Sequence, residues 1–504
     1  MDGELYCVFC YTKLVQFVNE KNIVSLAKFR CMDANEFRRQ AYRMVDWMAD
    51  YLETVEKLPV KSQVEPRQIY NQLPVSPPVQ SESMDTIFDD FKNIILPGIT
   101  HWQSPNFFAY FPANNSYPSI LGEMLTAAMG SQCMIWETSP AAAELEEVTM
   151  NWLKEMTGLP KQWDGVIQDS ASSSTLAAIL AARESASGFE INEHGFTGRE
   201  KQRIYCSTET HSSIDKAVKI AGLGRINLKK IGVDQHFAMN TETLEQSIVQ
   251  DLSNGFHPIC VVATIGTTSS TAIDPIEKMA AICNKYNIWL HIDAAFAGTA
   301  LVLPEYRWMI KGIEKADSFV FNPHKWMFTN FDCSAFFVKE REVLLRTFEI
   351  LPEYLKTGTR GKVNDYRDWG VQLGRRFRAL KLWFVIRNFG VEGLQEKIRG
   401  HIELGQYFAQ LVEKHPEFEI LAPVPLNVVC FRYVPEGVND PEHINTLNEL
   451  LLKKINKTGK MYITHTRLGG KYTLRMVIGQ TNVTRQHVDA AWGMIKDRAT
   501  SLNI

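Results

Sequence analysis

The run Ser318-Phe-Val-Phe-Asn-Pro-His-Lys-Trp326 reads as a buried strand that ends in Asn322-Pro-His-Lys325. A lysine at such an edge is costly unless it is used. Desolvation lowers its pKa and leaves an amine able to form a Schiff base with an aldehyde, the anchoring chemistry of pyridoxal phosphate (PLP). The alternative is a surface lysine after a strand. A second apolar run, Trp289-Leu-His-Ile-Asp293, closes on a carboxylate and continues in small residues, Ala-Ala-Phe-Ala-Gly298. An Asp facing a pyridine nitrogen keeps that nitrogen protonated and makes the ring an electron sink, and small neighbours let a flat ring lie close. The same Asp can equally cap the next helix.

Gln168-Asp-Ser170-Ala171-Ser172-Ser-Ser-Thr175 runs into Leu-Ala-Ala-Ile-Leu-Ala-Ala-Arg, a hydroxyl- and amide-rich turn feeding a strong helix. Backbone N–H groups, the positive end of the helix dipole and serine hydroxyls together make a seat for a phosphate, with simple N-capping as the alternative. Thr264-Ile-Gly-Thr267-Thr268 brings further hydroxyls after another strand. His211 follows the strand at 203–206, where an imidazole can stack on a cofactor ring, although a lone histidine is commonly structural. No cluster of His, Cys and carboxylates has metal-ligand spacing, so no metal is expected, and no Walker or GxGxxG loop is present.

Between about residues 120 and 340, β-branched runs alternate with helical stretches such as Ile276 to Tyr286. That pattern predicts a mostly parallel sheet with helices on both faces, whose ligands bind beyond the carboxyl ends of the strands. Upstream, Asp33 or Asn35 can cap an amphipathic helix (Phe37, Ala41, Met44, Val45, Met48, Leu52, Val55) whose apolar face needs a partner surface. Downstream, long helices lead into short strands such as Val428-Val-Cys-Phe-Arg-Tyr and Tyr472-Thr-Leu-Arg-Met-Val, a small α+β domain. The expected division is 1–31 extension, 32–116 helical layer, 117–380 large cofactor-binding domain and 381–504 small domain.

The 504 residues carry 54 Lys plus Arg against 57 Asp plus Glu, a net charge of −3 that does not favour nucleic acid or an anionic membrane. Nine cysteines without framework spacing point to a reducing compartment, and no apolar run is long enough for a membrane span. The expected address is the cytoplasm. Cys7-Val-Phe-Cys10 lacks the second ligand pair of a zinc site and the βαβ context of a redox motif, so it is read as neither.

Taken with Phe37-Arg-Arg, Pro97-Gly-Ile-Thr-His-Trp102, Phe107-Phe-Ala-Tyr-Phe-Pro112 and Leu373-Gly-Arg-Arg-Phe-Arg-Ala-Leu-Lys-Leu-Trp383, these motifs give the chain from Met32 onward a broad resemblance to group II PLP-dependent decarboxylases, above all the aromatic L-amino acid decarboxylases. Met32 matches the usual start of that family. The resemblance implies the PLP-dependent transferase fold type I, in an obligate homodimer with shared active sites and N-terminal helices wrapping the partner. It implies that Lys325 anchors PLP, Asp293 pairs with the pyridine nitrogen and His211 stacks on the ring. Ala171, Ser172 and Asn322 would contact phosphate, with Thr268 close to the cofactor. The substrate pocket would draw on Trp102, Tyr110, Phe111, Pro112, Ala113, Gly374 and, from the other subunit, Met134. Phe348-Glu-Ile-Leu-Pro-Glu-Tyr354 matches a mobile loop whose tyrosine protonates the substrate Cα.

The activity so implied is decarboxylation of aromatic L-amino acids to amines and CO2. Relatives with phenylalanine in place of that tyrosine resemble aldehyde synthases that consume O2, so Tyr354 argues for the amine. Ala113 stands where animal dopa enzymes have a threonine, and Gly374 matches relatives that accept bulky indoles. Trp and Phe are therefore the first expected substrates, with Tyr, dopa and 5-hydroxytryptophan behind them. The ring-lined wall disfavours glutamate or histidine, and a catalytically silent protein would need a damaged site.

Overall fold

The computed structural model describes residues 32–196, 198, 201–350 and 362–502. The chain divides into two compact units, one up to His101 and one from Trp102 onward. In the first, the helix Ala34–Thr54 starts where Asp33 accepts the Asn35 and Glu36 N–H groups. Trp47 stacks on Tyr51 and meets Phe88 and Phe91 edge-on, and Tyr51 Oη lies 2.8 Å from His101 Nδ1. Of the face expected to be covered, Phe37 and Val45 are exposed, Ala41, Met44, Met48 and Leu52 are partly buried and Val55 is buried.

The second unit is built on β1 (Asp164–Gln168), β2 (Gln202–Ser207), β3 (Leu228–Ile231), β4 (His257–Thr264), β5 (Trp289–Asp293), β6 (Ser318–Phe321) and β7 (Ser334–Val338). They form one sheet in the order β1-β7-β6-β5-β4-β2-β3, in which β7 alone runs against the rest. Period-two alternation of β4 shows how the faces are filled. Cys260 and Val262 pack with Ile179 of the helix Ala171–Ala186, whereas Val261 and Ala263 pack with Met279 of the helix Ile276–Tyr286. Both faces are covered by helices, as the alternating sequence predicts, and the strand runs 318–321 and 428–433 fall where expected.

A second sheet, β8 (Phe418–Ile420), β9 (Val428–Tyr433), β10 (Thr464–Leu468) and β11 (Lys471–Val477), is antiparallel in the order β10-β11-β9-β8. The helices Pro441–Asn456 and Arg485–Thr500 close its core. The helix Arg378–Glu413 leads into it across a break at Gly390, whose φ of 66° is one that glycine adopts without cost.

Candidate active site

Every strand of the large sheet except β7 ends at one edge, so Gln168, Ser207, Thr264, Asp293 and Phe321 bring their following loops together. Lys325 lies in a single helical turn, Pro323–Trp326, whose start is tied by Lys325 N–H donating to Asn322 O at 2.9 Å. The residue as a whole is only partly buried, while its ammonium end is enclosed. Burial pulls the amine down to about 8, against the opposing pull of Asp293, and Arg475 adds to the fall. Nζ sits 5.0 Å from the centre of the Phe111 ring.

Asp293 is buried at the end of β5 and accepts the Ala295 N–H at 3.0 Å. His211 Nδ1 accepts the Ser213 N–H at 3.1 Å and lies 2.9 Å from Ser213 Oγ, which orients the ring from behind. Burial lowers the His211 pKa, Asp293 opposes that, and Lys325 reinforces it. These reciprocal influences place His211, Asp293 and Lys325 in one electrostatic neighbourhood.

Ser170 caps the helix Ala171–Ala186 by accepting the Ser173 N–H, so capping and an anion seat coexist here: Ala171 is buried and Ser172 exposed in a first turn whose N–H groups lack intrahelical partners. Asn322 is buried, and its Oδ1 has no hydrogen-bond partner. Thr268 is exposed after β4, whereas Thr267 is buried and accepts the Ala272 N–H at 3.0 Å. The small residues after Asp293 also allow close packing of the chain itself. Ala294, Ala297 and Gly298 are buried, and a Cβ on Gly298 would stand 2.4 Å from Phe321 Cβ, so they let the loop close onto β6.

Aromatic side chains line the approach. Trp102 packs on Phe107 at 4.4 Å and stacks on Tyr110 at 5.7 Å, and Phe111 stacks on Phe296 at 4.0 Å. Pro112 is buried, and the Ala113 carbonyl accepts Gln103 Nε2–H at 2.7 Å. Met134 and Gly374 are held by other partners. The Met134 carbonyl accepts the Arg367 N–H, and Gly374 faces Gln132, whose Oε1 accepts the Arg375 N–H at 2.7 Å. Tyr354 and Cys7-Val-Phe-Cys10 lie outside the described residues.

Two residues escaped the sequence reading. Arg475 on β11 is buried, donates to Tyr110 O at 2.6 Å and to Ser269 O at 3.1 Å, and holds its guanidinium 4.7 Å from the Phe111 ring centre. It has no ion-pair partner among the described residues, Nη2 has no acceptor, and burial draws its pKa down to about 10. An arginine amid the apolar run Tyr472–Val477 was the available signal. Tyr462, with Oη 3.1 Å from Tyr110 Oη, had none.

An enclosed amine beside a carboxylate, and a helix start whose first-turn N–H groups can donate to an anion, suit an aromatic aldehyde that carries a phosphate. Residues 66–434 match the pyridoxal-dependent decarboxylase conserved domain. The chain is 44% identical over 483 residues to tryptophan decarboxylase 2 of Oryza sativa subsp. japonica, covering 94% of this chain and 96% of that one. It is also 44% identical over 482 residues to phenylacetaldehyde synthase of Arabidopsis thaliana, covering 94% and 97%. The crystal structure of Oryza sativa TDC with PLP and tryptamine superposes with a TM-score of 0.91 at 36% identity, covering 94% of this chain and 99% of that chain. The chain belongs to the pyridoxal-dependent decarboxylase family, and PLP is its cofactor.

Proposed function

We propose that the protein decarboxylates aromatic L-amino acids, Trp and Phe first, releasing the amine and CO2. The observation that carries this reading is the convergence of Lys325, Asp293 and His211 on one strand edge beside an aromatic wall. When bound, PLP supplies an aldehyde for amine capture and a ring that accepts the electron pair left as CO2 departs. Lys325 would hold it, Asp293 would keep its ring nitrogen protonated, and Ala171, Ser172 and Asn322 would seat its phosphate, with Thr268 nearby. His211 would stack on its ring.

The chain's own groups then select and orient the substrate. A Lys325 amine at about 8 is partly neutral near physiological pH and can take up or release a proton at Nζ. Arg475, a cation without a carboxylate, supports an anionic group on the substrate beside the Phe111 ring. Trp102, Tyr110 and Phe111 offer flat apolar surface to an aromatic side chain and shed water from it. Tyr354 delivers the proton that Cα needs once CO2 has left.

A homodimer is part of this proposal. Tyr117, Leu121, Leu125 and Met129 form an exposed apolar stripe along the helix Tyr117–Met129, a face that a second copy would cover. Met134, shortly after that helix, would then serve the partner's pocket, and the segment 32–116 would wrap the partner. The division at 116/117 and 380/381 belongs to the same proposal. So does a cytoplasmic address: among the described residues no helix is long and apolar enough to cross a membrane, and six cysteines are free and buried.

The test incubates the PLP-loaded protein separately with Trp, Phe, Tyr, dopa, His and Glu, and quantifies amine, aldehyde, ammonia and peroxide. Amine from Trp or Phe supports the reading. The likeness to phenylacetaldehyde synthase favours a second reading, in which O2 and water are consumed and aldehyde, ammonia, peroxide and CO2 appear. Dominant aldehyde and peroxide would establish that second reading and remove Tyr354 from its role.

A further inference from the structure

Lys325 is backed by a column of rings. Phe111, under the ammonium, stacks on Phe296 with centroids 4.0 Å apart and planes 13° apart. Phe296 stacks on Trp326 at 4.8 Å and 15°, and Trp326 lies nearly parallel to His401 at 6.4 Å and 12°. Phe296, Trp326 and His401 are all buried. Trp326 follows Lys325 directly in sequence, so its indole and the lysine share one helical turn. What holds this column in place is polar: Trp326 Nε1–H donates to His401 Nδ1 at 2.9 Å. Gly479 borders the indole edge: a Cβ there would stand 3.4 Å from Trp326 Cδ1, an ordinary van der Waals contact.

We infer that His401 is a positioning residue for the reaction: by accepting the Trp326 indole N–H it locks the ring column that sets Phe111 against the Lys325 amine. Three features support this. The hydrogen bond is enclosed, and a buried indole N–H without an acceptor carries a desolvation penalty that favours moving the ring. Burial holds His401 at about 3, so its Nδ1 stays an acceptor throughout the physiological range. The column ends on Phe111, whose face is shared by Lys325 and the Arg475 guanidinium, so a tilt is felt by both cations. His401 comes from the helix Arg378–Glu413, which lets that helix register the placement of a lysine at the far end of the stack.

The inference rests on the decarboxylase reading for its kinetic arm and stands apart from it in its spectral arm. PLP-loaded His401→Phe, Trp326→Phe and His401→Asn are compared with the parent; Asn can present its amide oxygen near the position of Nδ1. His401→Phe and Trp326→Phe raise KM for the aromatic amino acid on the order of tenfold. They also move the pH midpoint of the bound cofactor's absorbance, which reports on Lys325 Nζ, by about one pH unit. His401→Asn restores both to near the parent values. If His401→Phe does not fold, Trp326→Phe carries the test, because it removes the donor and keeps a ring. The inference is overturned if these variants lose thermal stability while midpoint and KM stay put, or if His401→Asn is as impaired as His401→Phe. Failure of the decarboxylase reading looks different: the parent releases no amine from any amino acid, while the spectral midpoint still shifts in the variants.

Discussion

Replacing Lys325 by Met removes an ammonium that the fold disfavours. An amine held at about 8 instead of 10.5 costs the folded, cofactor-free protein about 3 kcal/mol, at about 1.4 kcal/mol for each tenfold loss of proton affinity. Below pH 8 both folded and unfolded chains carry the proton and the whole penalty stands. Between about 8 and 10.5 only the unfolded chain remains charged, and the penalty shrinks; above 10.5 it is gone. Lys325→Met should therefore raise unfolding stability near pH 7. The Phe111 ring lies 5.0 Å from the ammonium, and losing that attraction returns about 1 kcal/mol, leaving a net gain of about 2 kcal/mol. The assay is urea unfolding of the two cofactor-free proteins at pH 7, 9 and 10. The advantage should fall by about 2 kcal/mol or more between pH 7 and pH 10. No gain at pH 7, or a gain that ignores pH, would refute the claim that burial of this ammonium controls its proton affinity.

Gly298→Ala places a methyl 2.4 Å from Phe321 Cβ inside the core and should destabilise by about 1–3 kcal/mol, read as a lower thermal midpoint. Tyr354→Phe should divert product from amine towards aldehyde and peroxide; a variant that still yields only amine would remove this tyrosine as the proton donor. Leu121→Arg, on the exposed stripe of the helix Tyr117–Met129, should shift sedimentation from dimer towards monomer and take activity with it. An active monomer would show that this helix is no dimer face.

The strand ends were legible because parallel strands buried on both faces read as continuous β-branched and aromatic runs, and a charge that closes such a run stands out. Lys325 and Asp293 announce themselves in that way. Arg475 does not, since an arginine within a strand ordinarily marks a solvated face, and only packing of β11 against the Tyr110 and Ser269 loops buries it. Around Gly298 composition signals small residues but not what packs on them, and at Gly298 itself that neighbour is Phe321. The helix Ala34–Thr54 was legible as amphipathic, yet its spacing does not say what surface Phe37 and Val45, both exposed, would meet.

The reversal of β7 has a dynamic consequence. Because β6 runs to the site edge and β7 starts back from it, the stretch 322–333 that carries Lys325 is tethered at both ends to neighbouring strands of one sheet, with Phe321 paired to Ala335. Within it, His324 N–H donates to Cys333 O at 3.2 Å and Cys333 N–H to His324 Nδ1 at 2.8 Å. Such a stretch cannot fray from one side. Its amides should exchange with deuterated solvent at the slow rate of the central strands, which makes Lys325 part of the last region of the protein to open.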